Sequence, residues 1–394
     1  MARFLWFVAL LWCTTATSMG QGVPPSQAES GQSPAAAPLK LIPRSHAERE
    51  ARFRAIHHII LNVRAVDDFQ MPVAGLRAQD FVLLDNGQPQ VLTSFREVNG
   101  NQRIIPPQVI LILDAVNGTS RSVAYEIKEI RKYLGSNQGR LIYPTSIAIL
   151  KPSGFKASRT SIDGSVLLQE SRTLFKDIHP FECENSLDAS VIPFGGGTKS
   201  VGPSGEAVDL DCLTNRFTLS FTALYDLATE QENAPGRVIV VWIGPGWPLL
   251  TGPGFRPDTP EIKANYFDHI VQLSRTLREA QVTVDAVYST DMFGKPEPQG
   301  VHEKSFAEGP LTEKQTTASD LALQAIATQS GGRILESKSI AAQIARCVAD
   351  EQTYYALSFE SIPSSKPDEY HSLQVKVNKS GVKVFTNTLY YGEP

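Results

Sequence analysis

Residues 107–134 read PQVILILDAVNGTSRSVAYEIKEIRKYL. Val109 to Leu113 is an apolar run without a polar break, the pattern of a strand buried on both faces. The run stops at Asp114, and a short turn covers Ala115 to Ser120. Val123, Ile127, Ile130 and Leu134 then recur at i, i+4, i+7 and i+11, one apolar face of a helix. Strand, acid, turn, helix is the opening unit of a parallel α/β sheet. Sheets of this kind bind ligands beyond the carboxyl ends of their strands, where Asp114 falls.

Outward from this unit the alternation continues. Strands are predicted at Ser146–Leu150, Arg237–Ile243, Val282–Tyr288 and Arg333–Glu336, with a further edge strand at Gly154–Thr160. Helices are predicted at Ser165–Phe175, Phe217–Glu232, Glu261–Ala280, Ser319–Thr328 and Ile340–Ala349. This order specifies an α/β fold: a doubly wound, mostly parallel sheet with helices on both faces. The flanks differ. His58–Val66 is a strand. Phe81–Leu84 and Val91–Phe95 are predicted to form a hairpin across Asp85-Asn86-Gly87, since Asn-Gly supplies the positive φ of a tight turn. Tyr354–Phe359, Ser372–Val377 and Val382–Thr386 are three β runs in succession. The two flanks are expected to pack together as a small β-rich layer. The segments are therefore 1–20, 21–50, 51–104, 105–350 and 351–394.

Several motifs resemble those of the von Willebrand factor A (vWA) domains and, more narrowly, of a secreted bacterial vWA-related family. Asp114 takes the place of the aspartate in the Asp-x-Ser-x-Ser loop of a metal-ion-dependent adhesion site. Val116 and Gly118 stand where its serines would be. Thr222-Ala-Leu-Tyr-Asp resembles the string after the second adhesion-site loop, where the threonine contacts the metal. Gly244 replaces the aspartate that commonly follows the next strand. The pattern V-x-G-L-x-x-x-D-F-x-L-x-D-N-G-x-P-Q at Val73–Gln90, and Tyr354-Tyr-x-Leu-x-Phe with His371-x-Leu-x-Val-Lys-Val, resemble the β segments flanking the core in that family. The resemblance implies an exported vWA-like module for protein–protein interaction, adhesion or assembly, with a degenerate metal site and no cofactor. The alternative is a Mg²⁺-dependent adhesion site built from Asp114, Asn117, Thr119 and Thr222.

Composition sets further bounds. The chain has 394 residues, is 42% hydrophobic and carries a formal charge of −4. No basic stripe stands out, so a nucleic-acid partner is not expected. Arg3 followed by the apolar Phe4–Trp12 reads as a secretory signal, with a cut after Gly20. That run is too short to span a bilayer, and no other spanning segment is found. The protein is thus expected to be exported: periplasmic, cell-surface or secreted. Gly22–Pro43 has a linker composition. In an oxidising compartment Cys183 and Cys212, which flank one loop-like insertion, are expected to pair, while Cys347 lies in a helical pattern as a buried free thiol.

No hydrolase, metalloprotease or Cys-x-x-Cys motif is present, and the histidines are scattered, so the chain is not expected to be an enzyme. A secreted hydrolase using the Gly/Pro-rich loop 179–215 as part of a cleft is the alternative. Gly244-Pro-Gly-Trp-Pro-Leu-Leu follows a central strand on the Asp114 edge. Asp114, Trp247 and Leu249 are therefore the candidates for contact with a protein partner, Trp247 as its aromatic anchor.

Overall fold

The computed structural model describes residues 57–99, 105–179, 181, 210–232, 234, 236–248, 258–289 and 306–394. The expected signal and linker, Cys183 and Leu249 lie outside them.

Five parallel strands form the centre: β5 (Gln108–Asp114), β6 (Arg140–Lys151), β9 (Val238–Ile243), β10 (Val282–Ser289) and β11 (Ile334–Ser337). Their order is β11-β10-β9-β5-β6, with the antiparallel β7 (Gly154–Ala157) on the β6 edge and the short β8 (Ser161–Asp163) also pairing with β6. The strand order reverses between β5 and β9, so a topological switch point lies at their carboxyl ends.

The apolar run of β5 explains why helices cover both faces. Val109, Leu111 and Leu113 enter one core with α1 (Ser120–Leu134), α2 (Gly164–Leu174) and α6 (Ile340–Asp350). Ile110 and Ile112 enter the opposite core with α3 (Leu210–Gln231), α4 (Pro260–Glu279) and α5 (Leu323–Gln329). All five residues are at most 5% exposed. Burying each such side chain stabilises the fold by about 1.5–3 kcal/mol. Short polar side chains start several of the helices: Thr119 caps α1, Asp163 caps α2 and Ser339 caps α6. Among the described residues no helix is long and apolar enough to cross a membrane.

The two chain flanks meet. β1 (His58–Val66) pairs with β12 (Thr353–Glu360), which pairs with β4 (Ser94–Asn99). β2 (Phe81–Asp85) pairs with β13 (Glu369–Val377), which pairs with β15 (Leu389–Gly392). β14 (Lys383–Phe385) and β3 (Gln88–Gln90) complete these two four-stranded sheets. Their inner faces share one core, containing Leu61, Val63, Leu83, Tyr355, Phe359, Leu373 and Tyr390.

Three sequence expectations change. The turn at Asn86-Gly87 forms with both φ angles positive, but the returning strand is β3, a three-residue edge strand with Pro89. Proline lacks the N–H that a central strand must donate. The run expected to return the hairpin, Val91–Phe95, instead leads into β4 in the other sheet. Helix α3 begins at Leu210, so the last six residues of the expected loop 179–215 are helical; residues 182–209 lie outside the described residues. The helix expected at Ser319–Thr328 is broken into a 3-10 turn at Ala318–Leu321 and α5.

Six buried charges tie the sheet to the flanking β layers near the sheet's amino edge. Arg64 of β1 pairs with Asp285 of β10 at 3.6 Å and with Glu351 at 3.2 Å. Glu351 also takes Arg237, just before β9, at 2.6 Å. Arg333, just before β11, pairs with Asp350. All six side chains are at most 6% exposed, three cations against three carboxylates. The free thiol of Cys347 is buried beside them. Burial first, and Asp285 next, push its pKa well up, so it packs as an apolar group.

Candidate functional site

Asp114 ends β5 at the switch point and is fully buried. A buried carboxylate needs partners, and all of those found are N–H donors. Oδ1 accepts from the backbone N–H of Val116 at 3.1 Å and of Asn117 at 3.0 Å. Oδ2 accepts from the Asn117 side-chain amide at 2.7 Å and from the Trp242 indole at 3.0 Å. Trp242 lies on β9 level with Ile112 of β5, which brings its ring nitrogen beside the end of β5. Burial raises the Asp114 pKa, while the bonds from Asn117 and Trp242 and the charge of Arg216 act in the opposite direction.

Asn117 organises a second layer. Its amide also donates to Ser220 Oγ on α3 at 2.8 Å. Its Oδ1 and backbone carbonyl accept from Arg216 Nε at 3.3 Å and Nη2 at 2.9 Å. Ser220 in turn donates to the Arg216 carbonyl at 2.9 Å. Asp114, Asn117, Ser220 and Arg216 thus form one chain of hydrogen bonds from the strand end to α3.

The cluster tests the expected Mg²⁺ set directly. A carboxylate has about four acceptor positions, and here all four are engaged by N–H groups. A hard cation needs oxygens with free lone pairs. Asn117 presents its nitrogen, not its oxygen, to Asp114. Thr119 caps α1, accepting from Ser122 N at 3.1 Å. Thr222 is exposed on α3, and Ser220 takes the place facing Asn117. An acid after β9 has no room: a Cβ at Gly244 would stand 2.8 Å from the Asp114 Cβ. Among the described residues no group of three His, Cys, Asp or Glu side chains is placed to hold a metal ion. The residues present do not fit a cation.

Trp247 is no surface anchor. It is fully buried, and its ring lies edge-on to Trp242 at 5.3 Å, to Phe217 at 6.3 Å and to Phe221 at 6.5 Å. The sequence suggests exposure because Gly and Pro surround it, but an indole of this size lowers the free energy most by covering the apolar end of β9. Arg216, Ser220 and Trp242 belong to the site and were not singled out by sequence. Arg216 fell between the expected loop 179–215 and the helix expected from Phe217, and Trp242 read as one more core residue of a strand.

Glu126 of α1 is the site's other acid. It is fully buried, and neither carboxylate oxygen has a hydrogen-bond partner among the described residues. Burial, and then the charge of Asp114, raise its pKa from 4.5 to about 8.

A separate polar cluster closes the end of the flanking β layers. His371 Nδ1 lies 2.9 Å from Asp85 Oδ1, and its Nε2 lies 3.1 Å from Ser364 Oγ. Tyr390 donates to Asp85 Oδ2 at 2.6 Å. The atom types are those of a hydrolase triad, but the serine is covered. A Cβ at Gly392 would stand 2.1 Å from Ser364 Oγ, and the Ser364 N–H is bonded to the Glu393 carbonyl at 3.0 Å. That N–H is not free to stabilise an oxyanion. The cluster joins β2, β13 and β15, and we read it as a structural tie.

No protein-family description and no curated protein matches the chain. Among solved structures the chain is similar to proximal thread matrix protein 1 from the mussel byssus, with 9% identity over 64% of this chain and 48% of that one, at a TM-score of 0.28. It is also similar to the pilus adhesin SpaC from Lactobacillus rhamnosus GG, with 8% identity over 84% of this chain and 42% of that one, at a TM-score of 0.32. The chain spans less than half the length of either protein.

Proposed function

We propose that this protein is a vWA-like interaction module, exported, that engages a protein partner in adhesion or assembly without a metal ion. The observation that carries metal independence is the saturation of Asp114 by four N–H donors. The same geometry makes Asp114 an organiser of the edge: it orients Asn117, which orients Arg216 and Ser220. The switch point between β5 and β9 supports the choice of this edge as the contact surface. The buried Trp247 acts from beneath it, not by direct contact.

The test is solid-phase binding of the purified protein to envelope material from its source cells, with and without EDTA, beside Asn117→Ala. Binding that survives EDTA and falls in the variant is expected. Binding lost on chelation and indifferent to Asn117 contradicts the reading.

A further inference from the structure

Arg216 is the one residue of the Asp114 cluster that carries a positive charge, and its environment is unusual. The side chain is half-buried on α3. Two of its three nitrogens are fixed on neutral acceptors, the Asn117 Oδ1 and carbonyl oxygens. No carboxylate pairs with it among the described residues. Asp114 is the acid whose charge it feels most, but that carboxylate is spent on four N–H groups and makes no ion pair with it. The nitrogen left over, Nη1, keeps its access to solvent, so an acid from outside can reach it. Here Nη1 makes no hydrogen bond or ion pair among the described residues. The three buried arginines near the sheet's amino edge, Arg64, Arg237 and Arg333, each have an acid.

The surroundings favour an incoming anion. Asn117 precedes the first turn of the fifteen-residue α1, whose positive dipole end faces the same edge. Ser120 and Arg121 on that turn are exposed, as are Thr214, Asn215 and Thr218 beside Arg216 on α3. None of these side chains is acidic. Asn117 holds the guanidinium plane fixed, so its fork is preorganised and little side-chain entropy remains to be lost on binding.

We infer that Arg216 is the contact point for an acidic side chain of the protein partner, the guanidinium supplying through a charge-assisted hydrogen bond the positive charge at this edge. This rests on the interaction reading above and names the chemistry its partner presents. Affinity then falls with added salt, since a contact between solvent-facing charges is screened.

Fluorescence anisotropy with a labelled oligoglutamate peptide, and an oligoglutamine peptide as control, tests this. The oligoglutamate is expected to bind at least about tenfold more tightly, with no change on adding EDTA. Arg216→Gln should lose about tenfold or more, Arg216→Lys less, and Arg172→Gln, on an exposed position of α2, nothing measurable. Should the glutamine variant not fold, the lysine variant carries the comparison, because it keeps the charge and loses the two-nitrogen grip on Asn117. Equal binding of both peptides, no binding of either, or unchanged affinity in Arg216→Gln and Arg216→Lys overturns the inference. If binding is insensitive to EDTA and to Arg216, the assignment of Arg216 fails while metal-independent interaction stands. If EDTA abolishes binding, the metal-independent reading fails with it.

Discussion

The two edges of the same parallel sheet treat buried charge in opposite ways. Near the amino edge, Arg64, Arg237 and Arg333 face Asp285, Asp350 and Glu351, and each cation reaches an acid. Aromatic rings add to the seal: the Arg237 guanidinium lies 4.3 Å from the Tyr354 ring, and Arg64 and Arg333 both lie over Phe385. At the carboxyl edge Asp114 is matched by N–H dipoles, and among the described residues Glu126 has no hydrogen-bond partner and Arg216 no ion pair. In the first arrangement every charge faces an opposite charge and β1 is joined to the sheet, so its role is structural. In the second, Asp114 is saturated, Glu126 near it is left without a hydrogen bond, and Arg216 at the rim keeps one nitrogen unbonded among the described residues.

Removing one member of the closed network should have the largest effect. Glu351→Gln leaves Arg64 and Arg237 short of an acid in a buried setting. A loss of about 3–5 kcal/mol is expected in chemical denaturation. A loss under about 1 kcal/mol would mean that the amino edge is no more committed to stability than the carboxyl edge.

Glu126→Gln should act in the other direction and depend on pH. The folded-state pKa of Glu126 lies above its ordinary value, so the folded protein binds the extra proton between pH 4.5 and about 8. Stability from this group is therefore complete below about pH 4.5 and is lost as pH rises through about 8. The amide cannot ionise, so the variant should match wild type near pH 4 and exceed it by about 4–5 kcal/mol near pH 9. Thermal melts across that range measure the difference. A constant offset at every pH would remove Glu126 from the titrating groups.

Asp114→Asn should cost about 1–3 kcal/mol, because one oxygen becomes a donor facing donors from Asn117 or Trp242. The indole fluorescence of Trp242 should change with it. Arg216→Gln should be the mildest, within about 1 kcal/mol of wild type, because it removes no buried ion pair. A large loss at Arg216 would place it with the closed network instead of the open rim.

Much of this contrast is written in the sequence, though unevenly. The doubly wound core could be read because Val109–Leu113 and the helix after it carry unambiguous periodicity, and Asp114 is fixed by where that run stops. The meeting of the two flanks was also legible, since each is β in pattern and neither can cover its own apolar face alone. The hairpin return was misread because Val91–Phe95 has the better strand composition, yet the two residues after Asn86-Gly87 are tied by the turn to pair at once. The inner side of the site was less legible. Val116, Gly118 and Gly244 announce missing oxygens, but not what replaces them. That Asn117 turns its amide nitrogen to Asp114 depends on Arg216 and Ser220, which lie about a hundred residues away and meet it only in the fold. Trp247 shows the same limit: Gly and Pro neighbours suggest a surface loop, and only the packing of Trp242, Phe217 and Phe221 buries it.

The most direct test of the central claim, that N–H donors have taken the place of a cation at Asp114, is calorimetric titration of the purified protein with Mg²⁺ and Mn²⁺, wild type beside Asp114→Ala. The account predicts no saturable heat for either ion in either protein, with Asp114→Ala differing only in stability. Saturable binding at about millimolar or tighter in the wild type, abolished in Asp114→Ala, would contradict it.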